Sequence, residues 1–108
     1  PALAAGQPVK VSRPAGTLAD GMTPPFVGAL PLAIAREAVS EVLTVSEGDI
    51  IEGMRWLMTR AKLYVEGSGA ATVGALLAGK VPRLVPETRV VAVVSGGNLD
   101  LDRVPRGN

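Results

Sequence analysis

The chain has 108 residues, with eleven Lys and Arg against ten Asp and Glu, which makes it one domain or a piece of one with almost no net charge. At 47% hydrophobic and 19% charged it is too apolar for a disordered tail, and a formal charge of +1 with one Trp, one Tyr and one Phe gives nucleic acid neither a field nor a stacking surface. Cys and His are both absent, so thiolate nucleophiles, disulfides, imidazole bases and the usual zinc ligands are excluded, and no apolar run approaches the roughly 20 residues that span a bilayer.

Residues 2–5, followed by Gly6 and Pro8, predict a helix C-terminus closed by a left-handed glycine. With no initiating Met, and no basic stretch ahead of a long apolar one, this start does not read as a signal peptide. It is expected to be the end of a helix whose beginning lies elsewhere. Residues 8–13 predict a short edge segment, and residues 14–28, with three Pro and three Gly, a shaped loop. From Leu30 a short helix is predicted, with Pro31 tolerated in its first turn and Leu30, Ile34 and Ala38 on its apolar face.

Residues 42–45 predict a brief strand. Ser46 then stands as a helix cap with Asp49 at the capping-box position, and Ile50, Met54, Leu57 and Ala61 form one apolar stripe. Glu47 and Asp49 at the start of that helix, and Arg60 and Lys62 at its end, suit the helix dipole. Gly48 and Gly53 cost it about 1 kcal/mol each relative to Ala. Residues 62–65 lead into Glu66, Gly67, Ser68 and Gly69. Residues 70–78 predict a helix of small and apolar residues, closed by Gly79 and Lys80, that must be buried on most sides. Residues 89–94 form a β-branched run without alternation, which predicts a strand covered on both faces within a parallel sheet. Helices alternating with strands predict an α/β architecture, and two clear strands make only a partial parallel sheet, the rest of which is expected elsewhere.

Three glycine-containing turns are candidates for chemistry: residues 17–21, 66–69 and 95–98. Ser95 lies just past the end of the most buried strand candidate, where open α/β sheets bind ligands, although a tight turn alone accounts for the SGGN tetrapeptide. Glu66, Gly67, Ser68 and Gly69 open a helix whose amides could cradle a phosphate, but the spacing matches neither a Walker A loop nor a dinucleotide fingerprint. The alternative is that Gly67 and Gly69 let this helix pack closely on a neighbour. Lys62 could act as an amine, and it equally suits the C-terminus of the preceding helix.

In order and spacing, the stretches TLADGM, VLTVSEGDIIEGMRWLMTRAKLYVEGSGAATVGALLAGKV and VVAVVSGGN closely resemble the C-terminal third of the catalytic domain of pyridoxal-phosphate enzymes of the tryptophan-synthase-β fold type. Threonine ammonia-lyases are the nearest in look, with serine racemases and serine dehydratases close behind. The resemblance runs from about Pro8 to Asp100. It implies that Ser95 hydrogen-bonds the pyridine nitrogen of pyridoxal 5'-phosphate, that Gly21 lies close to the ring, that Glu66 stands near its polar edge and that Gly96 belongs to the same cofactor-binding set. Gly67 stands where the family usually has Pro. Nothing in the 108 residues matches the family's Schiff-base Lys or phosphate loop, and the acidic cluster that some members use for a cation would lie upstream of Pro1.

The resemblance therefore implies that residues 1–108 are the C-terminal portion of a pyridoxal-phosphate-dependent catalytic domain, with no catalytic residue and no metal ligand in this chain, inert by itself. The parent would be a cytoplasmic homo-oligomer that acts on threonine or serine, by loss of the Cα proton and the β-hydroxyl, to give a 2-oxo acid and ammonia. Neither nucleic acid nor membrane is an expected partner. Two other readings stand beside it: a serine-racemase-like enzyme, and a non-enzymatic α/β module whose glycine turns hold a phosphate or nucleotide.

Overall fold

The structure, a computed structural model, describes residues 1–104. Its helices are α1 (Ala2–Ala5), α2 (Ala29–Ala38), α3 (Glu47–Trp56) and α4 (Gly67–Leu77), with 3-10 turns at Asp20–Met22 and Leu101–Arg103 and a π turn at Leu57–Ala61 that extends α3. Gly6 closes α1 in the left-handed region at φ 70°, as its spacing from Pro8 predicts.

α3 carries the predicted reciprocal cap. The Ser46 hydroxyl accepts from the Asp49 amide at 3.1 Å, and the Asp49 carboxylate accepts from the Ser46 amide at 2.7 Å, an arrangement worth about 1 kcal/mol. Of the predicted stripe, Ile50, Met54 and Leu57 are buried, Met54 completely, and full burial of such a side chain contributes roughly 1.5–3 kcal/mol. Ala61 is exposed, because the helix widens into the π turn and stops at Lys62, whose φ is 60°. The Lys62 ammonium donates to the Thr59 carbonyl at 2.6 Å, so this lysine caps the turn.

α4 begins three residues before the predicted start, because Glu66 is extended and serves as N-cap while Gly67 and Gly69 are already helical and buried. It crosses α3 at a pair of glycines. A Cβ on Gly53 would lie 2.7 Å from the Ala70 carbonyl, and one on Gly74 2.5 Å from the Asp49 carbonyl, so the two backbones meet where side chains would hold them apart. The helix-propensity cost of Gly53 is thus the condition for the crossing. Around this pair the core gathers Ala19, Ile50, Met54, Leu57, Val65, Ala70 and Val73, with Ala92, Val94 and Leu99 packed against it.

Three expectations meet a different arrangement among the described residues. The apolar stripe of α2 is not its buried face: Leu32 is buried, whereas Leu30 is 71% and Ile34 57% exposed. Residues 89–94 are covered on one face and not on two. Ala92 and Val94 turn toward the core, while Val91 is 90% and Val93 70% exposed. Finally, the partial parallel sheet is not formed among the described residues, where residues 8–13, 42–45, 62–65 and 89–94 carry no strand pairing. A ladder needs repeated backbone hydrogen bonds. Between residues 62–66 and 89–98, those described make one, from the Glu66 amide to the Gly96 carbonyl at 3.2 Å. A β-branched run favours extended backbone but does not supply its neighbours.

Candidate functional site

The three glycine turns, spread from residue 17 to residue 98, meet at the N-terminus of α4. Gly67 lies against the Leu18 carbonyl and Gly69 against the Ser95 carbonyl, so closely that a Cβ on either would overlap the facing oxygen. Between them Ser68 points at Gly21, where a Cβ would come within 2.9 Å of its hydroxyl oxygen. The Glu66 carboxylate covers Gly96, whose φ of 73° is a backbone conformation that strains any residue with a side chain. The close-packing reading of Gly67 and Gly69 therefore holds, and packing is what gathers the candidate residues.

The SGGN segment is tied along its length to α4 and the residues before it. Thr72 donates its hydroxyl to the Val93 carbonyl at 2.9 Å, the Glu66 amide reaches the Gly96 carbonyl, and the Tyr64 hydroxyl donates to the Leu99 carbonyl. A second set of ties holds residues 17–23. The Glu47 carboxylate accepts from the Thr17 hydroxyl and, at 2.9 Å, from the Leu18 amide. Thr23 donates to the Asp20 carbonyl at 2.6 Å and accepts from the Arg13 guanidinium at 3.0 Å, and Arg103 pairs with the Asp20 carboxylate at 2.8 Å.

These contacts set the local charges. The hydrogen bond from Arg103 holds the Asp20 carboxyl below its ordinary range, the Thr17 hydroxyl followed by the Leu18 amide does the same for Glu47, and Lys80, at 2.6 Å, with the Ser46 cap lowers Asp49 to about 2. Sequence reasoning missed Glu47, Thr72, Tyr64 and Arg103 as determinants of the site. Only Glu47 carried a signal, as an acid opening a helix, and that was explained by the dipole.

Ser95, Gly96 and Gly21 are exposed and Glu66 is half-buried, so together they form an open shelf beside α4, and no enclosed cleft. In its chemistry the shelf offers a neutral hydroxyl on Ser95 and a carboxylate acceptor on Glu66, a set that suits the polar edge of a flat heteroaromatic ring. One further sign points to a bound group. The Ser68 hydroxyl oxygen is shut off from solvent without a hydrogen-bond partner among the described residues, a condition that costs about 1–3 kcal/mol unless something polar relieves it. Among the described residues, no cluster of three acidic groups could hold a metal ion, and no helix is long and apolar enough to cross a membrane.

Comparison with known proteins extends this picture. A catabolic L-threonine dehydratase of Escherichia coli is 41% identical over 96 residues, which are 89% of this chain and 29% of that enzyme. A catabolic L-threonine dehydratase of Staphylococcus aureus is 43% identical over 89 residues, or 82% of this chain and 26% of the enzyme. The chain thus spans less than a third of the length of these relatives. Among solved structures, a threonine deaminase whose source is abbreviated T.th. superposes on 92% of the chain with a TM-score of 0.74 at 36% identity, covering 34% of that protein. The serine racemase of Dictyostelium discoideum superposes on 93% with a TM-score of 0.78 at 32% identity, covering 31%. The family model described as pyridoxal-phosphate dependent enzyme matches residues 1–96, nearly the whole of the chain that carries the three converging turns, and the chain belongs to that family.

Proposed function

We propose that residues 1–108 are the C-terminal portion of the catalytic domain of a pyridoxal-phosphate-dependent lyase that converts L-threonine or L-serine to a 2-oxo acid and ammonia. The observation that carries this reading is the convergence of Gly21, Glu66, Ser95 and Gly96 on one shelf at the N-terminus of α4, in a chain 41% identical to a threonine dehydratase. In the whole protein these four residues hold the pyridine edge of the cofactor, and the lysine and phosphate loop come from outside this chain. Residues 42–45 and 89–94 become strands of a parallel sheet there, which covers the exposed faces of Val91 and Val93. The same reading makes the protein a cytoplasmic homo-oligomer with an amino-acid substrate.

When bound, pyridoxal phosphate supplies a sink for the electrons left when the substrate Cα loses its proton. The Ser95 hydroxyl tunes that sink, because a neutral hydroxyl does not hold a proton on the ring nitrogen as a buried carboxylate does. With the cofactor bound, Ser95 would leave the ring nitrogen without a held proton and so moderate the sink, which would suit prompt loss of the β-hydroxyl. Gly21 and Gly96 lack side chains so that Ser68 and Glu66 can lie against them, and Glu66 keeps Gly96 in the left-handed turn beside Ser95.

Replacement of Ser95 by Ala in the full-length protein tests this. It removes one neutral hydrogen bond, worth about 0.5–1.5 kcal/mol, and should lower the elimination rate by up to about tenfold with little change in melting temperature. An elimination rate indifferent to Ser95→Ala would refute the assignment. The racemase reading is favoured by the superposition on serine racemase. Assay of both activities on L-serine separates the two: release of ammonia marks the lyase and formation of D-serine the racemase.

A further inference from the structure

We infer that Glu47 is a positioning residue for the cofactor face, acting through the turn that carries Gly21. The inference rests on the proposed role of Gly21 at the ring. Two acids open α3, and the structure divides their work. Asp49 completes the helix cap with Ser46 and pairs with Lys80, so the first turn of α3 is satisfied without Glu47. Glu47 uses both carboxylate oxygens on residues 29 and 30 positions earlier: Oε1 accepts from the Thr17 hydroxyl, and Oε2 accepts from the Leu18 amide at 2.9 Å. The Thr17 hydroxyl oxygen in turn accepts from the Ala19 amide at 3.1 Å.

Three consecutive residues therefore hang from one carboxylate. The middle one presents its carbonyl to Gly67, and the segment goes straight on into the 3-10 turn Asp20–Met22, where Gly21 meets Ser68. At the start of that turn Arg103 holds Asp20, and this pair, exposed like the Glu47 bonds, is weakened by solvent and salt. Glu47 is the more consequential tie because both its oxygens are engaged, one of them on the Leu18 amide at 2.9 Å, whereas Arg103 reaches backbone only at the Thr17 carbonyl, 3.5 Å away. With it gone, Thr17 and Leu18 lose their tie to α3, and the turn that carries Gly21 is held less firmly against Ser68.

The test uses the full-length protein stripped of cofactor, titrated with pyridoxal phosphate alone and followed by absorbance and by the circular dichroism of the bound chromophore, with thermal melting alongside. Glu47→Ala should raise the Kd for pyridoxal phosphate about tenfold, the scale expected for loss of charge-assisted hydrogen bonds, and should alter the dichroic band. Glu47→Gln should recover part of the affinity, since an amide oxygen still accepts one of the two bonds. Asp49→Asn should lower the melting temperature but leave Kd and dichroism unchanged, as befits a residue that caps the helix. Should Glu47→Ala fail to fold, Glu47→Gln and Thr17→Val take its place, each with a smaller rise in Kd. Glu47 variants that melt earlier but bind and orient the cofactor as the wild type does would overturn the inference while leaving the proposed function intact. A wild-type protein that takes up no pyridoxal phosphate would overturn both.

Discussion

Substitution of Gly69 by Ala tests whether packing at α4 is what places Ser95. In a helix, Ala is favoured over Gly by up to about 1 kcal/mol, so on propensity alone this change stabilises. The structure reverses the sign. The new Cβ would overlap the Ser95 carbonyl oxygen, lie 2.8 Å from its carbon and stand 2.9 Å from a methyl of Val65, against an ordinary contact of 3.4–4 Å. Val65 is itself buried, and the Ser95 segment is tethered on either side by the Thr72 to Val93 and Glu66 to Gly96 hydrogen bonds, so neither neighbour moves aside without loss elsewhere. Overpacking of this kind costs about 1–3 kcal/mol, and stretching the two tethers adds to it, which leaves a net destabilisation of about 1–2 kcal/mol. Gly48→Ala is the matched control, because a Cβ there meets only the Ser46 hydroxyl oxygen at 3.6 Å and should stabilise. Urea denaturation of the two variants in the full-length protein should show midpoints displaced in opposite directions. A Gly69→Ala protein as stable as Gly48→Ala would refute the reasoning.

Acid should expose the Asp49 network. Its carboxyl is depressed from 3.8 to about 2 by Lys80 and the Ser46 cap, so the stability it contributes is complete above pH 4 and is lost as pH falls through about 2. The wild type should therefore lose more melting temperature than Asp49→Asn over that interval, and parallel pH profiles would refute this. The 108-residue chain mixed with pyridoxal phosphate and reduced with borohydride should show scattered lysine labelling, since Lys62 is engaged with the Thr59 carbonyl and Lys80 with Asp49. One stoichiometric, site-specific adduct would contradict the expectation that the chain is inert by itself.

What the sequence alone determined was local, or lay in the order of motifs. The Gly6 stop, the Ser46 and Asp49 box and the stripe of Ile50, Met54 and Leu57 depend on residues within a few positions of one another, where spacing and side-chain chemistry decide the outcome. The three turns in their order pointed to pyridoxal-phosphate enzymes, and the family match agrees. Tertiary structure decided which faces are covered and what each polar group does. Leu30 and Ile34 share a helical face, yet burial depends on a packing partner, and among the described residues it is Leu32 that is covered. Residues 89–94 look alike in composition, but the core covers only alternate members. Glu47 and Asp49 are both acids at one helix start, and their separate roles depend on Thr17 and Leu18, which come near only after the chain has folded back. The physical reason is the same in each case: a side chain's neighbours along the chain are set by spacing, whereas its neighbours across the fold are set by how closely Gly53, Gly67, Gly69 and Gly74 let backbones approach.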